Sequence, residues 1–193
     1  IPDASFPLTY AEKGILRMKI SGAYEAGPLL SFKAGLRDNM VPDSCQVILN
    51  SKIYETAFLE YLKKHNYQGK TNIKDDYLHL SIEGKSAHGA TPQLGLNAAY
   101  IMIEFFKEID LNNGFIDLID TYLLNDSYGK DMGVDFKDQE TGSLTINAGL
   151  FNYDEKGFEI IINPRYPNIV DSEELIKKMI ALFEVLGHEA ELI

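Results

Sequence analysis

Short strand-like segments recur along the chain and constrain its fold more than any other feature. Apolar and polar residues alternate over 16–20 and again over 78–82. Because successive side chains of a strand point to opposite faces, this period of two predicts half-buried strands. In chain order the strand-like segments are LRMKISG, LLSFKAGL, CQVILN, LHLSIEG, SLTINAGL and FEIIIN. They predict a sheet rich in antiparallel pairs.

Helices are expected between these strands, where apolar residues repeat at helical spacing. One spans about 52–65, and a second is predicted to begin at Thr91, whose hydroxyl can cap it. A short helix is expected over about 114–124. The last helix begins at Asp171, which has Glu174 three residues on in a capping-box pattern. Strands and helices together predict the α+β fold class.

Three strand-like segments in the first part of the chain resemble three in the second part, in the same order. The pairs are LRMKISG with LHLSIEG, LSFKAGL with LTINAGL, and QVILNS with EIIINP. We interpret them as a degenerate internal duplication, since self-similarity of this kind marks repeated units. The duplication predicts two ferredoxin-like β-α-β units related by a pseudo-twofold axis, each a sheet with helices on one face.

Composition and charge exclude several classes of protein. The 193 residues are 45% hydrophobic, which suffices for a packed core. A formal net charge of −11 argues against a nucleic-acid partner, because phosphate binding draws on clustered Lys and Arg. No apolar run approaches the ~20 residues that span a bilayer. Cys45 is the only cysteine, so neither a disulfide nor a cysteine-based zinc site can form within this chain. We expect a cytoplasmic protein without nucleic-acid or membrane partners.

The segment GKSAHGATP holds a histidine among small residues. Gly89 lets the backbone turn freely, and His88 in such a loop could donate a hydrogen bond to a developing oxyanion. The alternative is a solvated loop histidine without a role. A catalytic pair of Ser86 with His88 is not expected, because neighbouring side chains on an extended segment point to opposite faces.

Three other positions are candidates of lower weight by themselves. Arg165 lies in NPRYP, where prolines hold the chain extended, and it could bind a carboxylate in bidentate fashion or lie on the surface without a role. Asn39, in RDNMVPD, fits a hairpin turn. Asp3 is a single carboxylate near the start of the chain and cannot hold a metal ion by itself. These residues do not make a complete catalytic set.

Taken together, five segments resemble the bacterial PepV-type dipeptidases. The segments, in order, are PDASFPLTYAEKG, DNMVPD, GKSAHGATPQLGLNAA, TINAGL and NPRYP. These dipeptidases belong to the di-zinc aminoacylase, carnosinase and glutamate-carboxypeptidase family of metallopeptidases. The resemblance covers nearly the whole chain and implies a lid domain, which in that family is inserted into a catalytic domain and closes over two metal ions.

The resemblance also implies roles for the candidate residues. His88 matches the lid histidine that stabilises the tetrahedral oxyanion, and Arg165 matches the arginine that holds the C-terminal carboxylate of the substrate. Asn39 matches an asparagine that helps to orient the bound peptide. Asp3 falls where the last metal ligand before the lid is expected, so it would bind one of two zinc or manganese ions only in the complete enzyme.

The resemblance implies a division of the chain as well. Residues 1–13 would be a hinge segment that leaves the catalytic domain, and 14–75 and 76–193 would be two lid subdomains. The other metal ligands and the general base of the family are not found in this sequence. The chain begins without Met and closes on the strand-like HEAELI, so we interpret it as a piece of a longer protein. The resemblance implies a monomeric full-length enzyme, because the duplicated lid of those relatives mimics a dimer interface.

The predicted function is therefore that of a substrate-binding lid fragment of a metal-dependent dipeptidase. Its expected partners are a dipeptide with a free C-terminus and the catalytic domain of the same protein. We expect the fragment by itself to bind no metal ions and to be inactive. The alternative is an amino-acid-sensing regulatory module built from paired ferredoxin-like units, which the duplication would equally allow.

Overall fold

The structure is a computed structural model that describes residues 11–193. Within that range the chain forms nine strands and four α-helices. The strands are β1 (Gly14–Ile15), β2 (Met18–Gly22), β3 (Leu29–Ala34), β4 (Ser44–Leu49), β5 (Gly69–Lys74), β6 (Tyr77–Glu83), β7 (Thr145–Asp154), β8 (Gly157–Tyr166) and β9 (Glu189–Leu192). The helices are α1 (Glu55–His65), α2 (Ala98–Glu108), α3 (Gly114–Tyr122) and α4 (Ser172–Val185).

All nine strands belong to one sheet, in the order β5-β6-β4-β3-β7-β8-β2-β9, and β1 pairs with β8. Every strand pair is antiparallel, which confirms the predicted antiparallel-rich character. The predicted duplication into two ferredoxin-like units is not confirmed. The sheet is continuous through its middle, where Phe32 of β3 pairs with Tyr153 of β7.

Strands from the two predicted subdomains, 14–75 and 76–193, also interleave. β2 lies between β8 and β9, and β6 lies between β4 and β5. The sheet therefore crosses the predicted boundary between 14–75 and 76–193, and that division of the chain stays a prediction.

The helices pack on one face of the sheet. Alternate residues of the strands, such as Val47, Leu80 and Ile160, share one buried cluster with the apolar sides of all four helices. The residues between them, such as Gln46 and Glu159, point to the opposite face and are exposed. This is the half-buried pattern that the alternation predicts. No helix formed by residues 11–193 is long and apolar enough to cross a membrane.

Of two helix starts predicted from capping residues, the one at Asp171 is confirmed and the one at Thr91 is wrong. Asp171 caps α4 as predicted, with its carboxylate accepting hydrogen bonds from the backbone N–H groups of Glu173 and Glu174 at 2.8 and 3.1 Å. By contrast, Thr91 is followed only by a short 3₁₀ turn and makes no side-chain cap.

The helix predicted from Thr91 starts later because the backbone of Leu96 forms hydrogen bonds outside the helix. Leu96 and Lys85 exchange two backbone hydrogen bonds of 2.8 Å, which holds Leu96 in an extended bridge. Asn97 then caps α2, its side chain accepting from the N–H of Ala99 at 3.0 Å. The helix therefore begins at Ala98.

Candidate functional site

The strand directions bring the candidate residues to the same edge of the sheet. In the order β6-β4-β3-β7-β8 with antiparallel neighbours, β3, β6 and β8 all run the same way. Asn39 follows the end of β3, His88 follows the end of β6, and Arg165 is the next-to-last residue of β8. We call this edge the candidate site; it includes these three loops and the segment between β1 and β2, where the N–H of Leu16 donates to the carbonyl of Pro164. Asp3 lies outside the described residues.

Asn39 and His88 are held side by side by the backbone. The N–H of Gly89 donates to the carbonyl of Asn39 at 2.7 Å, and Met40 pairs with His88 in an antiparallel bridge. A Cβ at Gly89 would lie 2.9 Å from the carbonyl oxygen of Asn39, so the close approach requires glycine there. The loop after β3 and the loop after β6 therefore form a single unit.

The ring of His88 is exposed, and one of its nitrogens is already used. Its Nδ1 accepts a hydrogen bond from the backbone N–H of Ala90 at 3.2 Å. In a neutral imidazole this places the proton on Nε2, which becomes a donor on an exposed ring. The hydroxyl of Ser86 instead donates to the carbonyl of Val41 at 3.2 Å, so Ser86 makes no pair with His88.

The predicted helix start at Thr91, which would have placed the N-terminus of a helix close behind His88, is wrong. α2 begins at Ala98, ten residues further along the chain. The capacity of His88 to stabilise negative charge therefore depends on its own ring N–H.

A buried amide ties the loop of Asn39 to the sheet. The side chain of Asn147, on β7, is 1% exposed and donates to the carbonyls of Asp38 and Met40 at 2.8 and 3.0 Å. These carbonyls flank Asn39 on both sides. Asn147 therefore fixes the backbone on which Asn39 is presented.

A second buried amide orients Arg165. Asn163 pairs with Asn147 across β7 and β8 and is 2% exposed. Its Nδ2 donates to the carbonyl of Leu16 at 2.9 Å, and its Oδ1 accepts from Nε of Arg165 at 3.3 Å. The arginine is thereby held at Nε, while its two terminal nitrogens find no acceptor within residues 11–193. A guanidinium in this arrangement can bind a carboxylate through its two terminal nitrogens.

The positions of Asn147 and Asn163 were missed in the sequence interpretation. Both lie inside apolar runs, TINAGL and IIINP, that predict central strands. A polar amide in such a run is a signal in itself, because a buried amide must find hydrogen-bond partners. At both positions the partner is a backbone segment of the candidate site.

An ion pair also links two of these backbone segments. The guanidinium of Arg17 contacts the carboxylate of Asp38 and joins the segment held by Asn163 to the loop held by Asn147. Nearby, burial and the charge of Arg165 lower the pKa of Lys13, an effect that Asp138 opposes in part. The end of β8 is therefore locally basic in a chain whose net charge is −11.

The described part of the chain contains no group of three or more His, Cys, Asp or Glu residues placed to hold a metal ion. The roles assigned to Asn39, His88 and Arg165 stay predictions, although the structure places Asn39 beside His88 and connects Arg165 to both through the two buried amides.

Several curated proteins are similar to this chain over nearly its whole length. One from Staphylococcus haemolyticus, named "Putative dipeptidase", is 34% identical over 99% of this chain. One from Staphylococcus epidermidis is 32% identical over 99% of the chain, and one from Bacillus subtilis is 32% identical over 89%; both bear the same designation. The alignments cover 44%, 44% and 40% of these relatives, so the chain spans less than half of their length.

A crystal structure of aminoacylhistidine dipeptidase from Vibrio alginolyticus aligns with 94% of this chain and 44% of that chain. With 10% identity and a TM-score of 0.29, this superposition carries no conclusion.

Residues 76–191, which are more than half of the chain, match the profile of the peptidase dimerisation domain. Together with the relatives, this match confirms the resemblance seen in GKSAHGATPQLGLNAA and the four other segments. The chain belongs to the peptidase dimerisation domain family.

Proposed function

We propose that this chain is the substrate-binding lid of a metal-dependent dipeptidase that hydrolyses dipeptides with a free C-terminus. One observation carries the proposal: an exposed imidazole with a donor at Nε2 and a guanidinium whose terminal nitrogens have no acceptor within residues 11–193 lie at the same edge of one sheet. The names of the relatives support it. The rest of the enzyme would supply the catalytic domain.

Arg165 and His88 would contact different parts of the substrate. Arg165 would hold the C-terminal carboxylate through its terminal nitrogens, since Nε is occupied by Asn163. His88 would donate its Nε2–H to the oxyanion that develops at the scissile carbonyl. Asn39, held beside His88, would orient the peptide between them.

The catalytic domain would hold two zinc or manganese ions, which activate water for attack on the carbonyl when they are bound. Asp3 would be one ligand of that site. Since the lid supplies only binding and oxyanion stabilisation, we propose that the chain is inactive by itself. Closure over the catalytic domain would exclude water and complete the site.

The proposal is tested by comparing each dipeptide with its C-terminal amide as substrates for the full-length enzyme. We expect Arg165→Met to lower kcat/KM for free dipeptides by about 10-fold or more and to leave the amides nearly unchanged, because hydrogen bonds to charged groups are the strong ones. Lys156→Met, on the turn between β7 and β8, serves as the control for loss of a surface cation.

Equal losses on free and amidated dipeptides would show that Arg165 does not bind the carboxylate. Hydrolysis by the isolated 193-residue chain would contradict the lid assignment itself.

A further inference from the structure

We propose that Lys13 and Thr145 complete the carboxylate site at Arg165, the lysine as a second cation and the threonine hydroxyl as a neutral donor. The inference rests on the proposed function, which assigns a carboxylate ligand to Arg165. It adds two residues to which no role has been given so far, one from each side of β8.

The strand register places these residues around Arg165. Arg165 pairs with Ile15 of β1 on one side and with Thr145 of β7 on the other. Directly opposed residues of antiparallel strands point to the same face, with Cβ atoms about 5 Å apart. The hydroxyl of Thr145 therefore lies beside the arginine side chain.

Thr145 carries an unexplained polar atom. The residue is 4% exposed, and its Oγ1 is the one buried side-chain nitrogen or oxygen without a hydrogen-bond partner in the described range 11–193. A buried hydroxyl left unpaired costs about 1–3 kcal/mol, so such groups are rare unless a ligand satisfies them. Its place opposite Arg165 indicates that the missing partner is the anion that Arg165 binds.

Lys13 approaches Arg165 from the opposite side. It lies two residues before Ile15, and its ammonium group donates to the carbonyl of Ser143, two residues before Thr145. The lysine side chain therefore crosses the end of β8 next to Arg165. One ammonium hydrogen is used by that carbonyl, and the other two have no acceptor within residues 11–193 and can bind a ligand.

The two cations are not neutralised within the described residues. Asp138 is the acidic group whose charge acts on Lys13, and its carboxylate is occupied by the N–H and hydroxyl of Thr141, the latter at 2.7 Å. Neither Lys13 nor Arg165 forms an ion pair with a carboxylate of the described chain. Two neighbouring cations repel each other, and an anionic ligand relieves this repulsion.

The test uses Thr145→Val, which keeps the shape of the side chain and removes the hydroxyl, and Lys13→Met, which keeps the stem and removes the charge. In the full-length enzyme each should raise KM for free dipeptides about 10-fold, with kcat and the kinetics of the amides little changed. Thr145→Ser and Lys13→Arg, which retain the donor and the charge, should keep most of the affinity.

A second measurement does not depend on hydrolysis. Acetate is titrated into the 193-residue chain, and backbone amide shifts near Thr145 and Arg165 are followed by NMR. We expect a saturable shift that Arg165→Met abolishes and that Thr145→Val and Lys13→Met weaken. Thr145→Val should also leave the melting temperature unchanged or raise it, because the hydroxyl has no hydrogen-bond partner within residues 11–193.

The outcomes separate the two proposals. If Arg165→Met removes the preference for free dipeptides and neither Thr145→Val nor Lys13→Met raises KM, the further inference is wrong and the proposed function stands. If the full-length protein hydrolyses no dipeptide, the proposed function fails, and the acetate titration alone decides whether Lys13 and Thr145 bind an anion with Arg165.

Discussion

At the scale of single residues, His88 combines an exposed ring with a defined tautomer. The N–H of Ala90 donates to Nδ1, so the neutral ring carries its proton on Nε2 as a donor. A donor whose orientation is set before the substrate arrives needs no reorganisation in the transition state, which is the condition for effective oxyanion stabilisation. The short loop with Gly89 supports this arrangement, because its backbone N–H binds the carbonyl of Asn39 and holds the two loops together.

We therefore expect His88→Ala in the full-length enzyme to lower kcat by about 10²–10³-fold, the usual effect of removing one oxyanion donor. The metal content, measured by elemental analysis, should be unchanged, because His88 is not assigned as a metal ligand. His79→Ala, on β6 before the loop, is the matched control and should retain activity. Near-normal turnover of His88→Ala would refute the oxyanion role.

At the scale of elements, the ends of β7 and β8 organise the loops around them. Asn147 and Asn163 face each other across the two strands, and each amide binds a different backbone segment of the candidate site. The two amides are buried, so these bonds are shielded from competing water. The two adjacent strands thus hold the backbone around Asn39 through Asn147 and the side chain of Arg165 through Asn163.

We predict that Asn147→Ala lowers the free energy of unfolding of the chain by about 1–3 kcal/mol, since the carbonyls of Asp38 and Met40 lose their donor. Urea unfolding measures the change. Asn152→Ala on the same strand is the control: within residues 11–193 its amide donates only to Asp154, at 3.5 Å, and the expected change is within ~0.5 kcal/mol. Equal effects of the two substitutions would show that Asn147 does not hold the loop.

At the scale of the whole molecule, the single continuous sheet bears on the alternative of an amino-acid sensor. That alternative places the ligand at the interface between two paired units, and here β3 and β7 pair directly where the halves of the sheet meet. The candidate site lies at one edge of this sheet, at the loops that follow β3, β6 and β8. This arrangement suits a surface that completes a site with another domain.

Calorimetry on the isolated chain tests the two alternatives. We expect no tight binding of free amino acids, and only weak binding of dipeptides, because the lid would hold one end of a substrate and the catalytic domain the other. Submicromolar binding of an amino acid would favour the regulatory module. The Arg165→Met chain is the control for binding through the carboxylate alone.

Local patterns were sufficient for most elements of this fold. The alternation in 78–82 predicted β6, and Asp171 predicted the start of α4, because side-chain period and helix capping depend on neighbours in sequence. Thr91 failed as a helix start for a reason that no local pattern contains: the backbone of Leu96 is taken by Lys85 from the preceding segment. A residue with good capping chemistry is overridden when tertiary hydrogen bonds hold the chain extended.

The sequence by itself determined the types of secondary structure, the family, and His88, Arg165 and Asn39 as candidates, since these depend on residue identity and short spacing. Only the tertiary structure decided how the strands join into one interleaved sheet and which side chains meet at its edge. The amides of Asn147 and Asn163 act on segments more than one hundred residues away in the chain. Contacts at such separations arise from the register of neighbouring strands, and register is set when the whole apolar face is buried at once.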